Sequence, residues 1–299
     1  MASSISNSQS HDANQHPDVA SRRKGKIILV VGIILLALSL RYAVTGMSPF
    51  LPQIMADLSM GTAGATLLGM LPTLFFGAAG FAAPVLIRRT SLEWAAVIAM
   101  VLAAAGTFLR ALVGGAPLFL VLSAIALFGM GIGNVVGAPL VKKYFAERPA
   151  PMLTAFALLM QAGATIPAML ALPLADLGGG WRFSIGSWAL LSVVAAIPWV
   201  IQLVKTTRES RSRDADGTLG EQSAKSTSRS FGIGYLITHP IAIGTALFYA
   251  MASLITYAML GWMPTVLQSL GHDETTAAAA FSVFTFLTLP MAAISPIVG

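Results

Sequence analysis

The chain has 299 residues, 56% of them hydrophobic and 10% charged, with a mean hydropathy of +0.78. Soluble domains carry roughly 25% charged residues, so this composition excludes a soluble globular protein and indicates an integral membrane one. The formal charge is +6 and there is no cysteine, which excludes a disulfide framework and a thiolate metal site.

The apolar runs are about twenty residues long and lack the ten-residue alternation of a membrane barrel, so the spans are helical. Residues 1–26 form a polar tail, read as disordered and ending in Arg22, Arg23, Lys24 and Lys26. Spans are then predicted near 27–50, 62–86, 93–113, 117–140, 152–174, 184–204, 240–262 and 276–298, eight in all. Residues 205–235, charged and serine-rich, read as a flexible linker. Of the 18 lysines and arginines, fifteen fall in the tail, in the 2–3 and 4–5 loops and in this linker, all on one side of the membrane. The positive-inside rule makes that side cytoplasmic and places the N-terminus inside. This distribution also explains the basic pI of about 9.9 without nucleic acid.

The stretch Leu40–Pro52 reads LRYAVTGMSPFLP and recurs in degraded form. Tyr42, Ala43, Gly46, Pro49 and Gln53 reappear as Tyr257, Ala258, Gly261, Pro264 and Gln268, each 215 positions on. Leu71-Pro72 matches Leu289-Pro290 at an offset of 218, which allows a three-residue insertion near Gly271. Two related halves follow: a six-helix unit over 27–204 and the start of a second over 236–299, the plan of parallel-repeat transporters. A second half of equal length would run to about residue 420, so the sequence reads as a fragment or a natural truncation lacking about four helices.

Arg41 is the one charge placed within a span. It lies roughly 22 Å along a helix from Lys26 at 1.5 Å per residue. An intramembrane charge is expensive and usually faces a cavity or a partner. No Asp or Glu is placed deep in the eight spans, so a polar planar or anionic substrate is the natural counter-group for this guanidinium. Arg41 maps onto Thr256 in the repeat, so the charge was not duplicated. The alternative is an arginine snorkelling to the outer interface.

Arg41 and Thr45 share a helix face in span one, and Thr245, Tyr249, Ser253 and Thr256 share one in span seven. With Asn134 in the glycine-rich run of span four and Gln161 in span five, these are the candidate substrate-binding residues; interhelical hydrogen bonding is the alternative for each. Arg110, at the outer end of span three, is a candidate interfacial or gate residue. No metal cluster, cofactor motif or nucleophile–base set appears in the spans, which argues against an enzyme.

These residues resemble the major facilitator superfamily, and within it the cyanate-permease and 2-nitroimidazole-transporter branch. The superfamily signature between helices two and three corresponds to Gly80, Pro84, Ile87, Arg88 and Arg89, with Pro84 and Ile87 standing at the acid and second glycine positions. The branch pattern resembles residues 40–54, MLPTLFFG (70–77), GTFLR (106–110), GMGIGNVVGAPLVKKYF (129–145) and GWRFS (180–184), in that order. Its usual Asn-Leu-Arg-Pro of helix one is Ser39-Leu40-Arg41-Tyr42 here. The resemblance implies secondary transport of a small solute between two bundles, a monomer in a bacterial inner membrane, no cofactor, and Arg88 and Arg89 as a cytoplasmic gate pair. A multidrug-type exporter and a truncated, non-transporting membrane protein are the competing readings.

Overall fold

The computed structural model describes residues 16–215 and 240–298. The elements are α1 His16–Leu38, α2 Tyr42–Thr45, a 3-10 turn Ser48–Phe50, α3 Leu51–Asp57, α4 Thr62–Arg89, α5 Leu92–Leu112, α6 Ala116–Tyr144, α7 Pro149–Asp176, α8 Gly180–Ser187, α9 Ala189–Ala215, α10 Pro240–Ser269 and α11 Glu274–Val298. All are helical. Seven described segments are long and apolar enough to cross a membrane, and α11 occupies the position of the eighth. Segments 25–57 and 180–207 each combine several helical pieces into one span.

Three boundaries depart from expectation. Pro17 stands in the first turn of α1, where its missing N–H costs nothing, so the helix begins inside the expected tail. At the other side of the first bundle α9 runs on to Ala215, into the expected linker. No Gly or Pro interrupts residues 199–215, and Thr206 and Thr207 donate back to the carbonyls of Gln202 and Leu203. Residues 1–15 and 216–239 lie outside the described structure. The third departure is span one itself, predicted as one helix over 27–50 and found broken between Leu38 and Tyr42.

The first bundle is held by small residues that let helix backbones touch. A Cβ on Gly106 of α5 would meet the Ala126 backbone nitrogen at 2.5 Å, and one on Gly129 of α6 would meet the Ala99 carbonyl oxygen at 2.6 Å. Two apolar cores result. One, around Leu36, Met100, Val136 and Trp199, lies toward the basic end; the other, around Tyr42, Phe50, Met130 and Phe281, joins the first bundle to α10 and α11. Large apolar side chains on the outer faces, such as Phe81, Leu112 and Leu190, are exposed as a hydrocarbon environment requires.

Candidate functional site

The break in span one brings Arg41 to the boundary between the halves. Arg41 precedes α2 with φ −134° and ψ −13°, and its backbone carbonyl accepts from Val44 and Thr45. Its guanidinium lies 5.9 Å from the centre of the Tyr257 ring, within cation–π range across the two halves. Arg41 Nε is buried and has no hydrogen-bond partner among the described residues. The ion pairs there are Lys143–Glu93 and Arg182–Asp57, and Arg41 belongs to neither.

A cavity of about 280 Å³ opens beside it. Arg41, Gln161 and Ala164 line it from the first half, and Ile255, Thr256, Met259, Leu260, Phe284, Thr285 and Thr288 from the second. One guanidinium, one amide and three hydroxyls thus converge in an otherwise apolar space just below the usual 300–1,000 Å³ of ligand pockets. Three candidates chosen from sequence, Arg41, Gln161 and Thr256, meet here.

The other candidates are placed elsewhere. Thr45 is buried and donates to the Arg41 carbonyl at 3.3 Å, so it serves the turn rather than the cavity. Asn134 is half-buried in α6 and Ser253 half-buried in α10; neither lines the Arg41 cavity. The side chains of Thr245 and Tyr249 lie outside the described residues. Arg88 and Arg89 are exposed in the last turn of α4, where a cation favours the carbonyl end of the helix. Arg110 does not occupy the expected interface. It is 1% exposed, its Nη2 donates to the Ala43 carbonyl at 2.9 Å, and its Nη1 donates to Ser123 Oγ at 3.4 Å.

Some participants are not apparent from sequence. Thr285 and Thr288 come from α11, and Thr165 of α7 donates to the Thr285 carbonyl at 3.1 Å, tying the cavity walls together across the halves. Tyr257 was visible only as the repeat of Tyr42, and that repeat was the available signal. Glu93 is buried at the start of α5, accepting from Lys143 and Tyr144 at the end of α6. Its first-turn position after the capping Ser91 marks it in sequence, but its partners some fifty positions on do not.

Further cross-half contacts lie toward the end where α3 meets α4 and α10 meets α11. Ser48 donates to the Gly261 carbonyl at 3.0 Å, and Gln53 donates to Glu274 at 2.7 Å. Trp262 lies against Gly69, where a Cβ would meet the indole nitrogen at 2.3 Å.

The all-helical arrangement of the described residues agrees with the comparisons. A solved D-xylose–proton symporter superposes with a TM-score of 0.60 at 15% identity, covering 89% of this chain and 66% of that one. The 2-nitroimidazole transporter of Escherichia coli is 30% identical over 89% of this chain and 64% of its own length. An uncharacterized transporter of Bacillus subtilis is 29% identical over 91% of this chain and 63% of its own, and the cyanate transport protein CynX of E. coli is 26% identical over 57% and 44%. The chain therefore spans under two thirds of the length of these curated relatives. The family model of the Major Facilitator Superfamily matches residues 30–299, nearly every residue that builds the spans and the cavity. The chain belongs to the major facilitator superfamily.

Proposed function

We propose that this multi-pass membrane protein is a secondary transporter carrying a small polar or anionic solute, of cyanate or nitroimidazole type, across a bacterial cytoplasmic membrane by alternating access. The observation that carries the reading is Arg41, a guanidinium without a carboxylate partner among the described residues, lining a small cavity shared by the two halves. A half-buried cation in that position favours a ligand able to accept hydrogen bonds in a plane. Gln161 and the hydroxyls of Thr256, Thr285 and Thr288 complete the polar lining. The volume restricts the ligand to a small one.

The cross-half bonds of Ser48 and Gln53 support a state closed at one end. The basic residues gather at the other end, which the positive-inside rule makes cytoplasmic. The closed end is then the outer one, and a solute leaves or enters this state from the cytoplasm.

The test is uptake and efflux of labelled cyanate and 2-nitroimidazole in cells expressing the protein, with Arg41→Gln at matched membrane abundance. Loss of one charge-assisted contact lowers apparent affinity by roughly tenfold or more. An Arg41→Gln variant that transports as well as wild type would overturn the role of Arg41. Absence of transport of either compound by wild type would overturn the substrate class.

A further inference from the structure

The break that delivers Arg41 to the cavity has little local cause. Residues 26–45 contain no proline, and Gly32 lies well before the break. Sharp interruptions of long helices occur at Pro, at Gly/Ser pairs or where another group enters the hydrogen-bond ladder. Ser39 contributes a little, donating to the Leu35 carbonyl at 2.8 Å, a back-bond that bends helices without breaking them. An apolar, helix-compatible sequence that stops at Leu38 and restarts at Tyr42 must be held by something outside itself.

Arg110 of α5 is the group that holds the restarted segment. In the segment after the break the backbone donors go to the carbonyls of Arg41, Tyr42 and Val44, passing over that of Ala43. That carbonyl accepts from Arg110 Nη2 instead. The guanidinium also reaches Ser123 and the Met47 sulfur, and lies 5.9 Å from the Phe119 ring centre. One helical turn earlier on α5, Thr107 stands within 3.4 Å of the Tyr42 hydroxyl, which is 2.9 Å from that of Ser192. Two side chains of one helix thus grip consecutive residues of the restarted segment. A buried cation among neutral acceptors is costly to leave without them, so the Ala43 carbonyl and Arg110 hold each other in place.

We infer that Arg110 is a positioning residue that clamps the restarted segment of span one at Ala43 and so keeps the Arg41 guanidinium in the shared cavity. The inference rests on the proposed role of Arg41 and deepens it. Without Arg110, the Ala43 carbonyl is unpaired, and the Met47 N–H, which goes to Val44 here, is the helical donor that satisfies it. Rewinding residues 42–47 on that bond moves the segment that Arg41 caps and takes its guanidinium away from Gln161 and Thr256.

The chain has no cysteine, so one introduced at Ala164, in the cavity wall, is a clean reporter. The measurement is the ratio of its modification rates by an anionic and a cationic methanethiosulfonate, in purified Ala164→Cys protein and with Arg41→Gln or Arg110→Gln added. The expected result is a preference for the anionic reagent that Arg41→Gln reduces by roughly tenfold, with Arg110→Gln giving the same reduction. The double variant is no lower than either single one. General loosening changes both rates together and leaves the ratio alone. If Arg41→Gln lowers the ratio and Arg110→Gln does not, the positioning role is overturned while the role of Arg41 stands. If Arg41→Gln leaves the ratio unchanged, the reading of Arg41 fails, and this inference with it. Should Arg110→Gln not reach the membrane, Arg110→Lys takes its place. A single ammonium cannot serve Ala43, Ser123 and Met47 together, so its ratio falls below wild type, and a ratio equal to wild type overturns the inference.

Discussion

In span one the helix stops at Leu38 and restarts at Tyr42, whereas the matching stretch of α10 runs unbroken from Pro240 to Ser269. The two share a tyrosine, an alanine, a glycine, a proline and a glutamine at one constant offset, so a common ancestry does not decide the difference. Neighbours do. Tyr42 turns its hydroxyl into the first bundle, toward Ser192 and Thr107, and anchors the restarted segment. Tyr257 buries its ring against the first bundle, edge-to-face with Phe76 at 5.2 Å and beneath Arg41. At the position of Arg41, Thr256 donates to the carbonyl of Ala252 one turn back and leaves its helix intact. The repeat supplies two matched frames, and the Arg41 cavity lies where they cease to match.

The largest way to remove this asymmetry is at Gly163. A Cβ there would meet the Leu38 carbonyl oxygen at 2.3 Å and the Leu38 Cα at 2.7 Å, both backbone atoms that cannot swing aside. Gly163→Ala therefore pushes the end of α1 off its seat on α7. Overpacking of this kind costs about 1–3 kcal/mol. The expected outcome is a lowered unfolding temperature in detergent together with a reduced anion preference at position 164. A variant with wild-type values of both shows that the break does not need this seat.

These relations differ in how far they could be read in advance. The spans, the basic end and the repeat were legible because hydropathy and charge act locally and add along the chain. Arg41, Gln161 and Thr256 were legible because a polar group in hydrocarbon needs a reason to be there. The break was not legible, since Gly163 matters only once α7 is packed on α1, and Arg110, which grips the segment after it, lies 67 positions from Ala43. For the same reason helical spacing selected Thr45 wrongly as a cavity residue. Arg41 is the non-helical residue that precedes α2, with φ −134°, so its side chain leaves the face that regular helical spacing would share with Thr45.

The two tyrosines divide the next effects between stability and recognition. Tyr42→Phe removes the hydroxyl shared with Ser192 and Thr107, and a buried hydrogen bond contributes about 1 kcal/mol. Its expected effect is on unfolding temperature, with solute affinity nearly unchanged. Tyr257→Leu removes the ring beneath Arg41, a contact of about 0.5–2 kcal/mol. It changes solute affinity, measured as the transport KM, more than it changes unfolding temperature. Equal effects of the two variants on both quantities would show that the tyrosines have not diverged in role.

The smallest difference between the halves is at the starts of α4 and α11. α11 is preceded by Asp273, whose carboxylate accepts from the Thr276 hydroxyl and backbone N–H, as an N-cap does. Those donors hold its carboxyl below the ordinary aspartate range. A depressed folded-state value means that the capping contribution is complete above the unfolded pKa, near about 3.9, and fades as pH falls through the lower folded value. Asp273→Ala is therefore less stable than wild type at neutral pH, and the two unfolding temperatures converge in acid. Asp273→Asn keeps an acceptor and loses the titration. α4 begins after Gly61, whose backbone is extended, whose missing side chain leaves the helix uncapped, and around which a Cβ meets nothing within 4 Å. Gly61→Asp gives α4 the cap that α11 has, and replacing a glycine cap gains only a few tenths of a kcal/mol. A rise in unfolding temperature for Gly61→Asp, set against a fall for Asp273→Ala, would make the two starts interchangeable; a fall for both would show that the Gly61 turn has a use for its bare backbone.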